Sequence, residues 1–81
     1  MSKRVRIDYY AYFRDRRGLA TEEVETQAGT LADLYKEAAA ANGFALPIGS
    51  VKAIVGDEFR PMSDPLEEGT TVVFVPPVAG G

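Results

Sequence analysis

The residues best placed to do chemistry are Val75-Pro76-Pro77-Val78-Ala79-Gly80-Gly81, directly after the β-branched run Thr70-Thr71-Val72-Val73-Phe74. Their chemistry is that of the Gly81 carboxylate. A proline cannot donate to a sheet ladder and fixes φ near −65°, so Pro76-Pro77 stops a strand and stiffens its exit. Val78 is the only sizeable side chain beyond the prolines, and Gly80 and Gly81 lack a Cβ, which leaves the end slender and its terminal carbonyl sterically open. At about 3.3–3.6 Å per residue the six residues from Pro76 reach roughly 20 Å, deep enough to enter a buried active site on another protein. The plainer alternative is a frayed terminus, the state of most chain ends.

Composition narrows what else the chain can do. With no cysteine there is no thiol relay, thiolate metal site or disulfide framework, and with no histidine the commonest general base near neutral pH is missing. Autonomous catalysis is therefore not expected, and neither is a metal site. Eighty-one residues allow one domain with a small core, near the size at which a core alone gives only ~3–5 kcal/mol. Apolar residues make up 46% of the chain, too rich for disorder. The net charge of −3 argues against a nucleic-acid partner. Residues 1–20 are nevertheless basic, with Lys3, Arg4, Arg6, Arg14, Arg16 and Arg17 against Asp8 and Asp15. No apolar stretch is long enough to span a bilayer, and charges interrupt the first segment where a signal peptide needs an apolar core, so the expectation is a cytoplasmic protein with no membrane role.

The elements that must position the C-terminal residues follow from periodicity. Val5, Ile7, Tyr9, Ala11 and Phe13 alternate with Arg4, Arg6, Asp8, Tyr10, Tyr12 and Arg14, which predicts one long half-buried strand. Asp15-Arg16-Arg17-Gly18 reads as a turn into a short returning strand over Glu22–Thr26. On that reading Tyr10 and Tyr12 occupy the face where Asp8 and Arg14 meet water, and exposed aromatics there suggest docking. Thr30 can cap a helix whose Leu31, Leu34, Tyr35 and Ala38 follow i, i+3, i+4, i+7, with Asn42-Gly43 as its stop, so a helix is expected over roughly 31–42. After a turn-rich connection, Val51–Val55 reads as a third strand, broken at Gly56-Asp57 and resuming briefly over Glu58–Arg60. Leu66 is a single buried anchor among turn residues, and Thr70–Val75 is the last strand. The economical architecture is a two-layer α+β domain, a mixed sheet of four to five strands under one main helix. It would occupy residues 1–75, with 76–81 as a flexible tail.

Two stretches resemble the small subunit of molybdopterin synthase, of the MoaD/ThiS ubiquitin-like sulfur carrier family. They are Ala11-Tyr12-Phe13-Arg14-Asp15-Arg16-Arg17-Gly18 and the run from Asp64-Pro65-Leu66 through Gly69 to Gly81. The chain departs from the family pattern at Thr70-Thr71, usually Asp-Glu, and at Gly56, often asparagine. The resemblance implies a β-grasp fold and a sulfur carrier. It implies that an E1-like adenylyltransferase of the MoeB type activates the Gly81 carboxylate with ATP, the carrier itself binding no cofactor. Sulfur, supplied by a donor such as a cysteine desulfurase or rhodanese, then leaves a thiocarboxylate. The tail, with Gly80 threading a channel, would deliver that sulfur to a pterin precursor in the large subunit, MoaE, within a heterotetramer. By the same resemblance Tyr10, Phe59 and Val75 form the docking patch, flanked by Arg14, Pro76, Pro77 and Val78. Val75 replaces a frequent aromatic, a loss that Tyr12 can offset. Within this chemistry the rivals are carriers for thiamine, cysteine or transfer-RNA thiolation, and outside it a ubiquitin-like modifier that joins Gly81 to a lysine, or an inert interaction domain.

Overall fold

The computed structural model describes residues 2–77. Five strands, β1 (Lys3–Tyr9), β2 (Thr21–Thr26), β3 (Lys52–Val55), β4 (Glu58–Arg60) and β5 (Thr71–Val75), form one mixed sheet in the order β2-β1-β5-β3-β4. The central pair, β1 and β5, runs parallel, with Ile7 beside Val72 and Tyr9 beside Phe74, and the remaining pairs are antiparallel. A parallel pair needs a crossover. Here it includes the helix α2 (Leu31–Asn42), which covers one face of the sheet. This is the β-grasp architecture.

Alternation sorts the strands into two faces. Val5, Ile7 and Tyr9 of β1, Val72 and Phe74 of β5 and Ala53 of β3 are buried beneath α2, which contributes Leu31, Leu34, Tyr35 and Ala38. These four are the helical positions that the periodicity marks. The helix starts where Thr30 accepts a bond from the Asp33 amide at 3.1 Å, and it stops at Gly43, whose φ of 71° is left-handed. Leu66, 3% exposed, is buried as its place among turn residues suggested.

Two local expectations need correction. The first strand does not run to Phe13; it ends at Tyr9, and Tyr12–Arg17 form a short helix, α1. Ala11 makes the break, at φ 49° and ψ −116°, the angles of the first central residue of a type II′ turn. The Phe13 amide donates to the Tyr10 carbonyl at 3.0 Å across that turn. The supposed turn at Asp15–Gly18 is the last part of α1, with Arg14, Arg16 and Arg17 toward its negative end and a left-handed Gly18 closing it. Phe13 is still buried, at 0% exposure, because the helix turns it inward instead of the pleat. Likewise, Glu58–Arg60 does not prolong β3. Gly56 and Asp57 both have positive φ, 60° and 69°, so the chain reverses and β4 returns along β3, placing Phe59 opposite Ile54.

Among the described residues, no helix is long and apolar enough to cross a membrane.

Candidate functional site

Residues leaving β5 converge with the Tyr10–Tyr12 turn. Tyr10, Ala11, Tyr12, Leu46, Val75, Pro76 and Pro77 line one open apolar groove of about 520 Å³ at the root of the C-terminal segment. Tyr10 and Val75 both line it, and Tyr10 is 54% exposed. Val78, Gly80 and Gly81 lie outside the described residues.

Tyr12 differs from its expected role. It is half-buried, its ring lies edge-on to Phe13 at 5.5 Å, and its hydroxyl accepts a bond from the Ala45 amide at 2.8 Å. It is a fixed wall of the groove instead of a free aromatic on a strand. The opposite wall is also pinned, because the Tyr35 hydroxyl donates to the Leu46 carbonyl at 2.6 Å. Leu46 was hidden in sequence inside a stretch with no periodicity. Its one signal is an apolar residue between Phe44 and Pro47.

Phe59 lies farther along the sheet. It is 69% exposed on β4 and is joined to β5 by a row of paired residues, Phe59 to Ile54 and Ile54 to Val73. Val73, Val75, Ile54 and Phe59 share the face turned away from α2, so the three proposed anchors occupy two ends of one apolar strip. Ile54 and Val73, both half-buried, supply the continuity that sequence reasoning missed. Phe59 also borders a second depression of about 690 Å³, with Ile48, Val51, Pro61 and Met62. Arg14 is exposed on α1 and does not line the groove.

The electrostatics beside the groove centre on Glu22. Its carboxylate accepts from the Tyr9 hydroxyl at 2.8 Å and from Arg17 at 3.1 and 2.6 Å. The Arg17 bonds, aided by Tyr9, hold the Glu22 carboxyl below its ordinary value against the opposing effect of burial. Burial, reinforced by the carboxylate, pushes the Tyr9 hydroxyl well above its ordinary value. Among the described residues no cluster of acidic side chains could hold a metal ion. The arrangement contains neither cysteine nor histidine. What it offers is an apolar surface leading into the residues that precede Gly81.

Comparison with protein families matches residues 7–81 to the ThiS family. No curated protein matches the sequence. Among solved structures, a putative molybdopterin converting factor, subunit 1, from Pyrococcus furiosus is similar at 26% identity and TM-score 0.79, over 94% of this chain and 99% of that one. SAMP1 from Haloferax volcanii shares the fold at 17% identity and TM-score 0.76, over 96% and 99%. So does a chain of the complex of subunits 1 and 2 of the molybdopterin-converting factor from Helicobacter pylori, at 20% identity and TM-score 0.61, over 96% and 99%.

Proposed function

The chain belongs to the ThiS family, and from that premise we propose that it is the sulfur-carrying small subunit of a molybdopterin synthase. The observation that carries this reading is the apolar groove of Tyr10, Leu46, Val75, Pro76 and Pro77 immediately before Val78-Ala79-Gly80-Gly81. A surface that continues into the reactive terminus lets one docking event also aim the carbonyl. The similarity to the Pyrococcus furiosus converting factor subunit supports the same choice.

The chemistry belongs to the terminus and to its partners. Carboxylates are poor electrophiles, so an E1-like enzyme joins the Gly81 carboxylate to the α-phosphorus of ATP and releases pyrophosphate. A sulfur nucleophile then attacks the acyl carbon and AMP leaves with the C–O bond electrons, giving the thiocarboxylate. The MoaE-type large subunit supplies the catalytic groups for transfer to the pterin precursor, and the carrier binds no cofactor of its own. A cytoplasmic location fits this reading, since the activation step draws on ATP.

The test is intact mass after incubation with ATP, the host's E1-like enzyme and sulfide. A gain of about 16 Da, one oxygen exchanged for sulfur on the terminal acyl group, is expected for the full chain and not for a Gly81 deletion. Sulfur appearing on the deletion variant would rule out the terminus. High-molecular-weight conjugates in cell extract, with no product from the large subunit, would instead establish a ubiquitin-like modifier.

A further inference from the structure

We propose that Tyr9, Glu22 and Arg17 form a positioning clamp that holds α1 against the sheet, so that the turn at Ala11 presents Tyr10 and Tyr12 as one wall of the groove. This rests on the reading of the groove as a docking surface. Ala11 is the starting point. With φ 49° and ψ −116° it occupies a conformation that L-residues rarely adopt, and such a residue persists only where its surroundings over-determine it.

Upstream, β1 is fixed between β2 and β5, and the Tyr9 amide donates to the Ala20 carbonyl at 2.8 Å. Downstream stands a helix of six residues, too short to persist without tertiary support. Phe13 anchors its first half in the core. Its last turn is secured by Arg17, whose two bonds to Glu22 join α1 to the start of β2, while Tyr9 bonds the same carboxylate from the end of β1. Three elements therefore meet at one side chain, and the groove residues Tyr10, Ala11 and Tyr12 lie between two of its partners in sequence. None of the clamp residues lines the groove.

Other contacts act here too. Arg16 reaches the Gly43 carbonyl at 3.1 Å, but from an exposed position. The Arg17–Glu22 pair is bidentate and partly shielded, with side-chain exposures of 31% and 18%, whereas the Arg4–Glu25 pair stands at 64% and 63%. Shielded, charge-assisted, two-point contacts hold geometry, and fully exposed pairs contribute little.

The experiment combines amide exchange by NMR on the isolated protein with calorimetry against the host's molybdopterin synthase large subunit. In Glu22→Ala the amides of Phe13 and Asp15, which bond the carbonyls of Tyr10 and Ala11, should exchange at least about tenfold faster, with that of Leu34 in α2 unchanged. Affinity should fall roughly five- to tenfold. Adding Ala11→Gly to Glu22→Ala removes the strained residue that needs holding, so exchange and affinity should return close to those of Ala11→Gly alone. Tyr9→Phe, which deletes one hydroxyl from an otherwise intact core, should give a smaller effect in the same direction and serves if Glu22→Ala does not fold. Unchanged exchange at Phe13 and Asp15 overturns the clamp. So does acceleration shared equally by Leu34, because Glu22 would then be a general stability contact. If the wild-type protein fails to bind the large subunit, the docking reading falls, while the exchange result still decides whether the clamp holds the turn.

Discussion

At the scale of single residues, the backbone of Ala11 and the carboxylate of Glu22 make separable predictions. Glycine suits the first central position of a type II′ turn, and Ala11 meets it with a Cβ. Ala11→Gly should therefore raise stability by about 1 kcal/mol in urea unfolding, the relieved strain exceeding the extra entropy of the unfolded glycine. For Glu22 the sign follows from a folded-state pKa below its ordinary 4.5. Its contribution is complete above the unfolded value and fades as pH falls through the folded one. The melting temperature of Glu22→Gln should accordingly lie below wild type above about pH 5 and converge with it in more acid buffer; a constant gap down to pH 2 would contradict this. Gly80 behaves oppositely. On the proposed function the terminus threads a narrow channel of its partner, where a Cβ at Gly80 would meet the wall, and a ~1 Å displacement of the reacting carbonyl can cost on the order of 10²-fold in rate. Gly80→Ala should melt like wild type and form thiocarboxylate or product slowly, measured on one preparation.

Elements differ in how far the sequence reveals them, and the difference is physical. The helix α2 announces its cap, its buried stripe and its glycine stop because each signal is local and they agree. Tyr10–Phe13 misleads because alternation and a short helix both bury Phe13, and because the residue that breaks the strand is alanine where the turn chemistry asks for glycine. The groove was legible in Tyr10, Val75 and the prolines, which adjoin the last strand or its parallel neighbour. Leu46 was not, since only tertiary bonding from Tyr35 brings it there. At the β3–β4 hairpin Gly56-Asp57 read as an interruption, although both residues adopt positive φ. Asparagine tolerates that region better than most residues, so Gly56→Asn should leave stability nearly unchanged. Gly56→Val should lose about 1–2 kcal/mol, with both measured by thermal unfolding.

At the scale of the whole molecule the apolar strip from Tyr10 and Val75 to Phe59 is expected to act as one surface. Phe59→Ala and Val75→Asp should each weaken binding of the large subunit by ~1–4 kcal/mol in calorimetry and leave the isolated fold intact. Unchanged affinity in both would remove the strip from the interface. The sheet order carries a different consequence. The strand that leads to the C-terminal segment is not an edge strand; β5 sits between β1 and β3, and its Val72 and Phe74 complete the core. During synthesis β1 must wait for almost the entire chain before its parallel neighbour arrives, a long-range closure that slows folding. A nascent or clipped product that stops before β5 lacks Val72 and Phe74 and the strand that joins β1 to β3, and should stay open to proteolysis. On the proposed function, the pool of folded carrier would in this way be screened for chains translated as far as the strand that leads to the sulfur-bearing end.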